Sequence, residues 1–390
     1  MELIFSMLAV LYGLLGGSPG DHTKPLLHSL APIPGLTAFG EEEQPDAQQP
    51  DIFVKTDPQP DAPLVKGIYV TSHSAGGQRM DQLLQLIDDS ALNSMVIDIK
   101  DDHGYITYPS DNEEILLLGE TRRNIADIGA LMDRLEKHKV YPIARIVVFK
   151  DSVLAAKHPE LSFVQEDGKV WQNGRKESFV NPYRKEVWDY NIAVAKEAAR
   201  LGFQEIQFDY VRFPEGFENR ADSLTFDKTE EERVQIVADF VKYAREQLEP
   251  MGIRVSVDIF GYAASVPAAE GIGQDFVKLS KHVDVISPMV YPSHYSTGWF
   301  GQQAPDKAPY ETIKGSMLDT HKKLDPIGHY KPVIRPWIQD FTASWLGQGH
   351  YIPYGKEEVQ AQIQALKDTG IDEYLLWNAS NRYTAGVIYD

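Results

Sequence analysis

The chain has 390 residues, 43% of them hydrophobic and 24% charged, enough apolar material for a large core. Its 38 Lys and Arg against 57 Asp and Glu give a formal net charge of -19; a surface that acidic is repelled by phosphate backbones and anionic membranes, which excludes nucleic acid as a partner. There is no cysteine, and with it go disulfides, thiol catalysis, cysteine zinc sites and a lipidated N-terminal cysteine.

The start, "MELIFSMLAVLYGLLGGSPG", is apolar from Leu3 to Leu15 and then turns small and flexible. That length suits the core of a secretory signal and falls short of a membrane span. No Lys or Arg precedes Lys24, and Glu2 stands where an export signal carries positive charge; the competing reading is a helix packed on the domain. Residues 1–17 are read as a signal peptide. This predicts a secreted or cell-envelope-associated protein with no stable membrane insertion beyond that segment. Residues 18–63 are read as a flexible linker, because "AFGEEEQPDAQQPDIFVKTDPQPDAP" is rich in Pro, Gln and acid and poor in apolar side chains. The folded domain is then 64–390.

Eight short β-branched runs follow in order: "VKGIYVTSH" (65–73), "SMVIDIK" (94–100), "YPIARIVVF" (141–149), "EIQFDYVRF" (205–213), "RVSVDIFGY" (254–262), "VDVISPMVY" (283–291), "KPVIRPWI" (331–338) and "EYLLWNAS" (373–380). Helical spacing fills the intervals. Ile128, Leu131 and Leu135 show it before strand three, and Val187, Tyr190, Val194 and Leu201 before strand four. Val234, Val237, Val241, Ala244 and Leu248 repeat it before strand five, as do Val359, Ile363 and Leu366 before strand eight. Three helices stop on "LGF", "MGI" and "TGI", where glycine can take the left-handed conformation that ends a helix. Strand and helix alternating eight times predict an α/β fold of the (β/α)₈ TIM-barrel class. A doubly wound sheet is the alternative, but "SAGG" at 74–77 is not the glycine-rich phosphate turn such a sheet carries after its first strand. Only ten residues follow strand eight, so the closing helix is short or missing, and the segment before strand one is expected to help cover the gap.

Catalytic groups of a barrel stand at the C-terminal ends of its strands, and alternate residues point inward. In strand four Ile206, Phe208 and Tyr210 share the side that packs on helices, while Glu205, Gln207 and Asp209 share the inner side. Asp209 therefore points into the barrel near its mouth, with Arg212 close by. The same alternation places Asp258, Phe260 and Tyr262 together on strand five, beside Asp209. Asp98 and Lys100 share a side of strand two and are followed by Asp101 and Asp102. Strand three adds Arg145, strand six Tyr291 with His294 beyond it, strand seven Arg335 and Trp337, and strand eight Trp377 and Asn378.

Acids, arginines and aromatics converging at strand tips suit a sugar. Pyranose rings stack on aromatic planes, and their hydroxyls take bonds from Asp, Arg and Asn. Cleavage of a glycosidic bond needs two carboxyls, and neighbouring barrel strands set them roughly 5 Å apart, the separation of retaining enzymes. Asp209 and Asp258 are the catalytic candidates. The substrate-binding candidates are Asp98, Lys100, Arg145, Tyr210, Arg212, Tyr262, Tyr291, His294, Arg335, Trp337, Trp377 and Asn378. His73, His103 and His294 show no paired spacing such as HExxH, so neither a metal nor a cofactor is called for.

"KGIYVTSHSAG", "VIDIKDDHG", "QFDYVRFP", "VSVDIFGY" and "ISPMVYPSHY" together resemble the bacterial "putative glycosyl hydrolase domain" family, from about Lys66 to the C-terminus. "FDYVRFP" is the most specific piece. The resemblance implies a barrel distantly similar to the α-amylase-like and α-galactosidase-like clans, whose nucleophilic Asp ends strand four, where Asp209 stands. The α-amylase pattern has a Glu acid on strand five; this chain has Asp258 there, and Asp340 falls late for the third acid near strand seven. No acid in "ISPMVYP" matches the α-galactosidase-like acid of strand six.

Structural readings stand beside these. Asp209 and Arg212 could be an ion pair capping the strand, Asp258 could bond a loop, Trp337 and Trp377 could be core, and the "DIKDDHG" acids a solvated turn, with Asp98 as an alternative acid. Two functions remain: a retaining glycoside hydrolase acting on a polysaccharide or oligosaccharide, or a non-catalytic carbohydrate-binding barrel with the same aromatic cleft. The sequence leaves sugar, linkage and oligomeric state open.

Overall fold

The structure is a computed structural model and describes residues 62–328 and 332–390; the predicted signal segment 1–17, and the linker up to residue 61, lie outside the described residues. Eight parallel strands close into a barrel: β1 (Lys66–Val70), β2 (Ser94–Lys100), β3 (Tyr141–Val147), β4 (Glu205–Asp209), β5 (Arg254–Phe260), β6 (Val285–Met289), β7 (Trp337–Gln339) and β8 (Tyr374–Trp377). Closure is visible at Gly67 of β1, which is in register with both Ser94 of β2 and Leu375 of β8. The seventh run is broken. Val333–Ile334 pairs with β6 first, Arg335 and Pro336 interrupt, and β7 resumes at Trp337. Pro336, with no N–H to give a ladder, stands at the break.

Crossover helices wrap the barrel: α1 (Arg79–Asp88), α2 (Ile128–Lys137), α3 (Lys185–Arg200), α4 (Arg233–Leu248), α5 (Phe276–Ser280), α6 (Pro309–Leu324) and α7 (Lys356–Asp368). Their apolar faces are those the spacing predicts; Val234, Val237, Val241, Ala244 and Leu248 of α4 are all buried. The helices end as expected, with Gly202, Gly252 and Gly370 at positive φ, where a side chain would be strained.

The period of two sorts strand residues into two cores. Outward residues such as Ile97, Ile146, Phe208 and Val257 pack under the helices, and inward ones such as Val96, Ile143, Trp337 and Leu375 fill the barrel. Each fully buried side chain of this size contributes about 1.5–3 kcal/mol. The interior is apolar in its walls and polar at both ends. At the lower end Arg335 bridges Glu205 and Glu373, each at 2.7 Å.

Among the described residues no helix follows β8. The last residues instead fold back across the β1–β8 seam. Asn381 donates to the Tyr69 carbonyl at 2.9 Å and accepts from Thr71 N, while Val387 and Tyr389 are buried.

Candidate active site

β4 ends because of one residue. Tyr210 follows Asp209 with φ 51, a left-handed conformation that costs a non-glycine residue on the order of 1 kcal/mol. It turns the chain sharply and brings Tyr210 N to Asp209 Oδ1 at 2.6 Å. The other carboxylate oxygen, Oδ2, takes Arg145 Nη2 at 2.5 Å and Arg145 Nε at 3.0 Å. Asp209 is thus an ion-paired, inward-facing carboxylate held at both oxygens. The turn breaks the alternation, so Tyr210 lines the cleft instead of packing only under the helices. The cation on Asp209 is Arg145 and not Arg212. Beyond the turn Arg212 reaches Glu215 at 3.4 Å and lies 4.6 Å from the centre of the Phe260 ring.

Asp258 stands beside Asp209. Gln207 and Phe208 of β4 are in register with Ser256 and Val257 of β5, and the next step sets the two acids level. Trp337 Nε1 donates to Asp258 Oδ1 at 2.7 Å, leaving Oδ2 to carry a proton. Burial, and then the charge of Asp209, push the Asp258 carboxyl well above the usual carboxylate range. An ion-paired carboxylate and a carboxyl whose burial favours its protonated form therefore sit side by side.

Asp98 lies just behind them. It accepts from Arg145 Nη1 at 2.7 Å and from Tyr69 Oη at 2.6 Å, and burial pushes it up to about 6 against the pull of Arg145. Arg145 also reaches Asp102 at 3.1 Å, and Lys150 closes on the other oxygen of Asp102 at 2.6 Å. Although burial works against its charge, these two cations hold the Asp102 carboxyl well below the usual range. Asp102 is a cleft residue, not a free acid in a solvated turn.

The cleft over this floor has a volume of about 260 Å³ and two unlike walls. Charge comes from Arg145 of β3 and from the loops after β2, β3 and β4: Asp102, Arg175, Arg212 and Glu215. The ends of β6 to β8 give aromatics: Tyr291, Trp337, Phe341 and Trp377, with His294 at the rim. Tyr69 stacks on Trp377 with centroids 4.0 Å apart, which fixes the tryptophan plane.

The structure brings Asp209, Asp258, Arg145, Tyr210, Arg212, Tyr262, Tyr291, His294, Trp337 and Trp377 to this one cleft. Asp98 is beneath it. Three other predicted residues are elsewhere. Lys100 faces out of the barrel because β2 carries a bulge: Asp98 is opposite Arg145 and Lys100 opposite Ile146, so Ile99 is extra and every later side chain flips. Lys100 pairs with Asp151 at 2.7 Å under α3. Arg335 lies at the lower end of the barrel, since its partner Glu205 begins β4 whereas Asp209 ends it. Asn378 fastens a loop, donating to the carbonyls of Asp340 at 2.5 Å and Arg382 at 2.8 Å. Asp340 binds Thr384 and takes no part in the cleft. Tyr69, Asp102, Lys150, Arg175, Glu215 and Phe341 escaped the sequence reading as site residues. Of these only Tyr69 carried a signal, by alternating inward in β1. Among the described residues no cluster of His, Asp or Glu is arranged to hold a metal ion, and no helix is long and apolar enough to cross a membrane.

Residues 67–383 match the family described as "Putative glycosyl hydrolase domain". The chain belongs to this family. Among solved structures the barrel is similar to the PgaB (BpsB) glycoside hydrolase domain from Bordetella bronchiseptica, with TM-score 0.56 and 14% identity over 81% of this chain and 94% of that one. It is also similar to the α-galactosidase TtGalA from Thermus thermophilus, with TM-score 0.51 and 12% identity over 83% of this chain and 63% of that one. A hypothetical protein from Ruminiclostridium thermocellum ATCC 27405 is 34% identical over 49% of this chain and 96% of its own, with TM-score 0.45. Curated proteins give no match. The family's barrel and its glycoside hydrolase-like character are those expected from "FDYVRFP" and its companion motifs.

Proposed function

We propose that the protein is a retaining glycoside hydrolase acting on an oligosaccharide or polysaccharide. The observation that carries this reading is the pair at the floor: Asp209 ion-paired to Arg145, beside Asp258, which Trp337 binds and whose carboxyl burial and the charge of Asp209 push well above the usual range. Neighbouring carboxyls in unlike surroundings are how an acid and a nucleophile are assigned. Asp209 attacks the anomeric carbon while Asp258 gives its proton to the leaving oxygen. Asp258, now a carboxylate, then takes a proton from the water that frees the sugar from Asp209, and both groups return to their starting states. Arg145 and Tyr210 N hold Asp209 in place, and Trp337 holds Asp258. Trp377 and Tyr291 offer planes for the sugar faces. A barrel that only binds carbohydrate would need the aromatic wall but not two neighbouring inward carboxyls in unlike surroundings.

The test is a screen of chromogenic glycosides and polysaccharides, repeated with Asp209→Asn. Cleavage by the native protein that falls by at least about a thousandfold in the variant, with glycan binding kept, supports the reading. Binding by both proteins with cleavage by neither contradicts it.

A further inference from the structure

The charged side chains that line the cleft are ion-paired apart from Asp258 and Arg175. Asp209 and Asp102 are paired with Arg145, Asp102 also with Lys150, and Arg212 with Glu215. Asp258 has no ion pair, and burial and the charge of Asp209 raise its carboxyl well above the usual range. Among the described residues Arg175 is the cleft-lining cation with no ion pair. Its place is built rather than incidental. It sits at the tip of a tight turn in the long loop after β3, organised by Asn173. The Asn173 side-chain oxygen accepts from Arg175 N at 2.9 Å and Glu177 N at 3.0 Å, and Asn173 Nδ2 donates to Glu177 Oε2 at 2.7 Å. Lys176 takes a left-handed conformation to close the turn, and Lys150 ties Glu177 back to the cleft at 3.4 Å. The tip reaches across the mouth toward His294 of the β6 loop, near enough for its charge to act on that ring. Its guanidinium stands exposed at the tip of this fixed turn with no ion pair of its own, and a guanidinium is a fork for a planar anion.

We propose that the sugar this cleft takes carries an anionic substituent, a carboxylate or a phosphate, which Arg175 binds. The proposal rests on the glycoside reading and names its substrate class. It also fits the whole-chain charge: at a net -19 the protein repels a polyanion, and a single cation at the mouth selects isolated acidic groups on an otherwise neutral glycan.

The test titrates the full chain at pH 7 with matched probes, reading the fluorescence of the cleft tryptophans. The probes are glucose, galactose and mannose, their hexuronates, and their 6-phosphates. The uronate and phosphate arms separate the two sources of charge. At least one acidic probe is expected to bind about tenfold tighter than its neutral partner, with the preference weakening as salt rises. Arg175→Gln should bring that ratio to within about twofold, and Arg175→Lys should restore part of it. Neutral probes binding as tightly as acidic ones, or a preference that survives Arg175→Gln, overturns this proposal alone. No saccharide of either kind binding overturns the glycoside reading with it.

Discussion

At the scale of single residues, the site works by giving two like groups unlike surroundings. Asp209 has a guanidinium and a backbone N–H; Asp258 has a tryptophan N–H and a negative neighbour. If Asp258 is the acid, Asp258→Asn should slow natural substrates by about a hundredfold or more and aryl glycosides with good leaving groups far less. Azide should rescue its second step, and rates on paired substrates check both points. The same carboxyl makes a statement about stability. Its folded value lies above the unfolded value of 3.8, so the folded state binds more protons there, and stability falls as pH rises above about 4. Asparagine removes that cost. The melting temperature of Asp258→Asn minus that of the native protein should therefore grow as pH rises above about 4, and a difference flat with pH would show that folding does not raise the Asp258 carboxyl.

At the scale of elements, what the sequence disclosed depended on unbroken alternation. Strands with a clean period of two gave up their inward residues: Asp209 from β4, Asp258 from β5 and Trp377 from β8 are at the floor as read. Where a strand is interrupted the reading failed. The bulge after Asp98 turned Lys100 outward, and the Arg335–Pro336 break, with no sequence cue to depth along the barrel, left Arg335 at the wrong end. Residues supplied by loops were illegible for another reason. Asp102 and Arg175 meet the cleft through turns whose direction no periodicity encodes, and the left-handed Tyr210 redirected Arg212 to Glu215. The displaced Lys100 yields its own prediction. Burial lowers its ammonium and raises Asp151 while the pair holds both charged. Lys100→Met strands Asp151 in the core and should destabilise by about 3–5 kcal/mol in urea unfolding, and adding Asp151→Asn should recover part of that. Additive losses would contradict the pairing.

At the scale of the whole molecule, the barrel gathers residues from Asp102 to Trp377 into one mouth, and the family match over 67–383 covers that assembly. The fold was legible because eight strand–helix repeats leave few other ways to close a sheet. Secretion is the expectation attached to residues 1–17: N-terminal sequencing of exported protein should start near Ser18 or in the linker, and an intact Met1 in the cytosol would refute it. The central claim is that Asp209 bonds covalently to the sugar. Its most direct test is mass spectrometry of the protein incubated with the 2-deoxy-2-fluoro form of a glycoside it cleaves, which slows release of the glycosyl-enzyme. One adduct should form, on the peptide bearing Asp209. An adduct on Asp258 or Asp98, or turnover of the unmodified glycoside with inverted product and no adduct, would contradict the account.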